Sequence, residues 1–238
     1  MKIHTQEFTL GGRTVSLRVA SGYLFMPNAV TSLFADVVHI NRGDIVFDIG
    51  SGVGPLAVYA ALESSSEVHA VEIVKDQYKL LIENVRENGV QDKVHEYNGS
   101  FFDPIPDGLS ADVIIADVSG IADDAARASG WYPPRIPTGG HDGADNIVKV
   151  LETAGRRLKD RLYFPIAVGL SNKERILDTA SSNFGTLEKK AEKKFPLPPT
   201  IKYEIIECLK KTAFYEDLEH RGSRLLWKVE IYEATTPK

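Results

Sequence analysis

A chain of 238 residues, 43% of them hydrophobic and 26% charged, is long enough to bury a large core and too apolar to stay disordered. Its formal net charge of −5 excludes the general basic field of a protein that coats a phosphate backbone, which favours small molecules or proteins as partners without excluding nucleic acid. No apolar run approaches the roughly 18 residues of a membrane span, and the opening MKIHTQEFTL lacks the apolar core of a signal peptide, so one soluble, cytoplasmic domain over residues 1–238 is expected.

Two short alternating runs, 8–10 and 14–19, flank Gly11-Gly12 and predict an N-terminal β-hairpin. An extended segment over 21–27 follows, and Asn28 is placed to cap a helix over 29–40, where Val30, Leu33, Phe34, Val37 and Val38 fall at helical spacing.

Residues 46–49 form a β-prone run that enters Gly50-Ser51-Gly52-Val53-Gly54, after which Pro55 opens a helix-compatible stretch, 56–62. Glycines in such a strand-to-helix turn let a ligand approach the main chain, and the helix N-terminus beyond offers unpaired N–H groups. A dinucleotide fingerprint would need glycine where Pro55 stands, and a P-loop would need Gly-Lys-Ser/Thr, which is missing. The next strand, 68–72, ends in Glu72, 18 residues past Gly54, where an α/β unit places the carboxylate that accepts ribose hydroxyls. His69, inside that strand, reads as a packing residue.

A helix over 76–88 and a strand over 94–97 lead to Gly99-Ser100-Phe101. The apolar strand 111–116 has the composition of one buried on both faces and ends in Asp117-Val118-Ser119-Gly120. Residues 121–136 read as a long loop at the C-terminal edge of a parallel sheet, where substrates are contacted. Its Trp131 and Tyr132 either stack on a substrate or stabilise the loop, and Arg135 either pairs with a substrate anion or faces water. A helix over 147–158, a strand over 161–168, a helix over 172–182 and antiparallel strands over 185–195 and 225–233 complete the pattern. Residues 196–222 form an insertion expected to cap the site. The lysine-rich run 189–194 is a solvated strand edge or, less simply, a nucleic-acid contact. The single cysteine, Cys208, reads as a buried thiol, and nothing in the spacing of His, Cys and acids suggests a metal.

Asp48, Gly50, Gly52 and Gly54 match D-x-G-x-G-x-G in full, and on this motif the chain resembles the class I S-adenosylmethionine (SAM) methyltransferases. Pro137 and the Gly139-Gly140-His141-Asp142-Gly143 element resemble the corresponding segment of the release-factor glutamine methyltransferases, the "methyltransferase small domain" family, over roughly residues 20–170. The resemblance implies a loop that cradles the amino-acid end of SAM with Asp48 near its ammonium, and an adenine site at Gly99, Ser100 and Phe101, where Ser100 replaces the usual acid. Phe25 and Pro27 wall the cofactor and Thr31 touches it, or all three merely brace the fold. The family's Asn/Asp-Pro-Pro-Tyr/Phe substrate motif is reduced to Asp117, so methylation of a release-factor glutamine is not expected.

The expected fold is therefore α/β: a three-layer sandwich around a mostly parallel, seven-stranded Rossmann-like methyltransferase sheet, with an N-terminal hairpin and helix (1–40), a SAM-binding core (41–170) and C-terminal strands (171–238). The expected activity is SAM-dependent methyl transfer to a nitrogen or oxygen nucleophile of a small molecule, with Asp117 orienting or deprotonating it, Ser119 hydrogen-bonding it and His141 as a candidate base. The alternatives are an RNA or protein N-methyltransferase and a non-catalytic SAM-binding partner subunit. Oligomeric state is left open.

Overall fold

A computed structural model describes residues 2–63, 67–197, 206–207 and 209–237; Cys208 and the Pro198-Pro199 pair lie outside the described residues. Strands β1 (His4–Leu10) and β2 (Arg13–Val19) form the expected hairpin, with Leu10 opposite Arg13 across the two-glycine turn. Both turn glycines have positive φ, which the tight turn needs and which glycine adopts without Cβ strain. Helix α1 (Ala29–Val37) is capped by Asn28, whose side chain accepts the Val30 N–H at 2.7 Å.

The main sheet contains β3 (Ile45–Ile49), β4 (Glu67–Glu72), β5 (Val94–Asn98), β6 (Ala111–Ile115), β7 (Leu158–Val168), β8 (Phe184–Pro196), β9 (Glu219–Arg221) and β10 (Arg224–Pro237). Its order is β5-β4-β3-β6-β7-β10-β8, parallel from β5 to β7, with β10 antiparallel to both β7 and β8. The seven expected strands are all in this path. An eighth, the three-residue β9, pairs with β10 from inside the segment read as an insertion.

Helices α2 (Pro55–Glu63) and α3 (Lys75–Glu87) cover one face together with α1, whereas α5 (Asp145–Ala154) and α6 (Lys173–Asn183) cover the other. Strand alternation divides the core accordingly: Val46, Val68 and Val113 point to the first face, Phe47 and Ile114 to the second. The stretch 121–136 is not all loop, because its alanine-rich start forms α4 (Asp123–Ser129), opened by two acids and closed by the left-handed Gly130. Helix α5 stops four residues earlier than expected, and those residues become a turn and the start of β7. Among the described residues, no helix is long and apolar enough to cross a membrane.

The hairpin is anchored on α2 and α3. Asn84 accepts the Arg18 N–H at 2.6 Å and donates to the Arg18 carbonyl at 3.1 Å, and Asn88 does the same with Ser16 at 3.2 and 2.8 Å. Two side-chain amides thus satisfy the open edge of β2 as a neighbouring strand would. Leu10, Val15, Leu17 and Val19 are buried beneath it, and α2, enclosed between sheet and hairpin, has every residue from Pro55 to Ala61 buried.

Candidate functional site

The chain order reverses direction between β3 and β6, so a crevice opens at the carboxyl ends of these strands. A cavity of about 840 Å³ occupies it. Its floor is the turn after β3, where Gly50 and Ser51 donate their N–H groups to the Val71 carbonyl at 3.0 and 2.9 Å, tying the turn to β4. Gly52 faces the cavity with φ +58°, and a Cβ there would meet only Gln77 Nε2, at 3.9 Å. Gly54 serves packing instead: a Cβ on it would lie 2.5 Å from Leu81 Cδ1 of α3.

Glu72, at the end of β4, is buried on the cavity wall, and its carboxylate accepts the Gly52 N–H at 2.8 Å and the Val74 N–H at 2.6 Å. Burial raises its pKa, and these bonds pull back toward the charged form. Gln77 on α3 hydrogen-bonds Glu72 and accepts the Phe25 N–H at 2.9 Å, which fixes the extended segment before α1 against the same wall. Gly99, Ser100 and Phe101 line the next side, and Phe101 is the sole non-glycine residue with positive φ (+48°) among those described.

Opposite, the segment after β6 presents Asp117, Val118, Ser119 and Gly120. The Thr31 hydroxyl donates to Asp117 Oδ2 at 3.4 Å, while burial lifts the Asp117 pKa to about 6. Ser119 hydrogen-bonds the Tyr132 hydroxyl, and its carbonyl accepts Asn146 Nδ2 at 2.9 Å. Tyr132 packs on Phe25 with ring centroids 5.4 Å apart. Beyond it, Trp131 and Phe195 each lie 5.2 Å from Trp227, making an aromatic wall drawn from three distant parts of the chain.

The structure brings Phe25, Gly50, Gly52, Glu72, Gly99, Ser100, Phe101, Asp117, Ser119, Trp131 and Tyr132 to one cavity. Six expected residues lie off its wall, among them Thr31, which reaches it only through its bond to Asp117. His141 is exposed on the turn before α5, so its assignment as a base is withdrawn. Arg135 points outward, 85% exposed and 4.0 Å from Asp76. Pro27 stands in the segment before α1 without lining the cavity, and Gly54 packs on α3. Asp48 is wholly buried below the glycine turn, neither of its carboxylate oxygens hydrogen-bonded with good geometry among the described residues. Burial raises its pKa to about 7, and the charges of Asp117 and Glu72 add to the effect.

The Gly-Gly-x-Asp-Gly element holds the site from behind. Gly139 donates its N–H to the Ile121 carbonyl at 2.8 Å, and a Cβ on Gly139 or Gly143 would lie 2.7 Å from the backbone N of Ile121 or Ala122. Close packing of two main chains thus fixes the path after β6. Gln77, Asn146 and Trp227 escaped the sequence reading; each is polar or aromatic on an otherwise ordinary helix or strand, and only the tertiary fold turns it into the cavity.

Comparison with known proteins agrees with this architecture. Residues 32–125 match the family model described as TRM5/TYW2 methyltransferase domain. The ribosomal protein L11 methyltransferase of Lactococcus lactis subsp. cremoris (strain SK11) is 27% identical over 168 residues, 66% of this chain and 52% of that protein. The release factor glutamine methyltransferase of Bacillus subtilis (strain 168) is 29% identical over 131 residues, 52% of this chain and 45% of that protein. Among solved structures, the T. thermophilus 16S rRNA N2 G1207 methyltransferase in complex with AdoMet and guanosine superposes with a TM-score of 0.61 at 14% identity, covering 98% of this chain and 50% of that one. The chain carries a methyltransferase domain and has the fold of the SAM-dependent methyltransferases. It spans about half the length of the curated relatives just described, and the residues that match the family model contain every cavity residue from Gly50 to Gly120.

Proposed function

We propose that this chain transfers the methyl group of SAM to a nitrogen of a nucleobase in RNA. The observation that carries this reading is one continuous cavity with a polar, glycine-lined end at Gly52 and Glu72 and an aromatic end at Trp131, Phe195 and Trp227, joined by Asp117 and Ser119. Nucleobases are held by stacking on aromatic faces and by hydrogen bonds to their edges. A hollow lined by Lys194, Pro196, Arg221, Arg224 and Leu226 lies beside the aromatic end, sharing Pro196 with the cavity, and supplies cations for a phosphate backbone despite the acidic total charge.

The residues present fit SAM. Glu72 stands on the cavity wall as a carboxylate acceptor for a ribose hydroxyl, Gly52 leaves its Cβ direction open, and Phe101 offers an apolar wall. Bound there, SAM supplies an activated methyl for in-line displacement, so the protein's task is alignment and exclusion of water. Asp117 accepts a hydrogen bond from the acceptor's amino or imino N–H and takes up its proton as the new N–C bond forms; Thr31 holds that carboxylate in place, and Ser119 and Tyr132 fix the neighbouring backbone.

A small-molecule acceptor, expected from the sequence, finds no support among the relatives, whose names concern a ribosomal protein, a release factor and an rRNA. The L11 methyltransferase likeness favours a second reading, transfer to a protein nitrogen. Incubation with methyl-labelled SAM plus total RNA, or plus ribosomal proteins, separates the two. Label sensitive to nuclease and lost in Asp117→Ala supports RNA; label confined to protein supports the second reading; SAM binding without transfer to either leaves a non-catalytic binder.

A further inference from the structure

We propose that Glu67, His69 and His95 form a binding site for one divalent transition-metal ion, zinc before others, at the end of the sheet remote from the cavity. Period-two geometry assembles it: Glu67 and His69 lie two apart on β4, His95 pairs directly with His69 in the parallel register of β4 and β5, and Tyr97 lies two residues past His95 on the same face. That face is turned away from α3, and Glu67 and His69 stand about 17 and 10 Å along β4 from Glu72 at ~3.3 Å per residue.

Both imidazoles bring Nε2 close to the same carboxylate oxygen. Glu67 Oε1 is 2.9 Å from His69 Nε2 and 3.1 Å from His95 Nε2, and all three donor atoms fall within 4.8 Å of one another. Ligands on a tetrahedral ion with bonds of ~2.0–2.1 Å are about 3.3 Å apart, so the two Glu67–histidine distances need open by only a few tenths of an ångström. His69 is 3% exposed, and its Nε2 has no hydrogen bond of good geometry among the described residues. Its other nitrogen, Nδ1, is 3.0 Å from the Tyr97 hydroxyl, an outer contact that fixes ring orientation as such partners do for metal-bound histidines. The Phe47 ring against one side and the His95 ring stacked at 4.9 Å on the other further lock His69. Half-exposed His95 leaves a route for the ion and a coordination position for water. Two imidazoles and one carboxylate suit zinc rather than magnesium or calcium, which prefer all-oxygen shells. Bound there, the ion ties the edge strand β5 to β4.

Calorimetric titration of the chelator-treated, full-length chain with Zn²⁺ tests the site, with Co²⁺ absorption reporting ligand type. One ion per chain at micromolar or tighter affinity, weakened at least tenfold in both His95→Ala and Glu67→Gln and several-fold in Tyr97→Phe, supports it. Both ligand positions are partly exposed, and retained SAM affinity verifies that these variants are folded. Absence of binding at 100 µM Zn²⁺, or equal affinity in wild type and the ligand variants, overturns it.

Discussion

The Glu72 carboxylate accepts the Gly52 N–H at 2.8 Å, so the acid at the end of β4 holds the glycine turn after β3 in the shape that leaves the cavity open. Removing it as Glu72→Ala deletes a charged acceptor and frees two buried N–H groups, and SAM affinity is expected to fall by about 1.5–3 kcal/mol, roughly ten- to hundredfold. Gly52→Ala retains the backbone bond but adds left-handed strain of roughly 1–2 kcal/mol and a methyl aimed at the cavity. Calorimetry on both variants, with melting curves as controls for folding, checks this; unchanged affinity in both would remove the cofactor assignment.

Asp117 must be ionised to accept a proton, and burial places its pKa at about 6. The single-turnover rate is therefore expected to be flat above pH 7 and to drop about tenfold per unit well below 6. Asp117→Asn should lower the plateau and abolish the inflection while leaving SAM affinity within about threefold, because an aligning contact acts chiefly on the transition state. An acid limb that persists in the variant would assign the titration to another group.

Asp48 gives a stability test with the opposite slope. Its folded pKa of about 7 lies above the ordinary 3.8, so the native state holds a proton that the unfolded state has lost. Stability from this group is full below pH 3.8 and declines as pH rises to 7, by on the order of 4 kcal/mol at 1.36 kcal/mol per unit. Asp48→Asn removes the charge, so its Tm relative to wild type should be higher at pH 8 than at pH 5, both measured without SAM. An equal difference at the two values would show that Asp48 ionises freely in the folded chain.

The polar end of the site was legible because its signals are local. Asp48 to Gly54 sit within one turn, and Glu72 follows at the spacing that one α/β unit imposes. The aromatic end was legible in part: the loop composition marks Trp131 and Tyr132 as substrate contacts, but Trp227 carries no local signal, and only sheet order sets it between Trp131 and the Phe195 that ends the neighbouring edge strand. His141 misled for a related reason, since the Gly-Gly-x-Asp-Gly element in which it stands packs main chain against main chain through its glycines and leaves the histidine outside. Glu67 and His95 are 28 residues apart and carry no motif; the β4 and β5 register makes them neighbours.

The aromatic end offers the sharpest test of the RNA reading. Trp131 is half-buried in the loop after α4, whereas Trp227 is buried in β10, so truncating the first should spare the sheet. Stacking of a base on an aromatic side chain contributes about 1–3 kcal/mol, so Trp131→Ala should lower kcat/KM toward RNA by roughly 5- to 150-fold with SAM affinity unchanged, and Trp131→Phe should recover most of it. Replacing Arg221 and Arg224 by Gln in the neighbouring hollow should instead raise KM, reduce its salt dependence and leave kcat near wild type, because contacts with a phosphate backbone position the strand without touching the base. If Trp131→Ala methylates RNA at the wild-type rate, the base does not enter past Trp131, and the cavity's aromatic wall serves the fold alone.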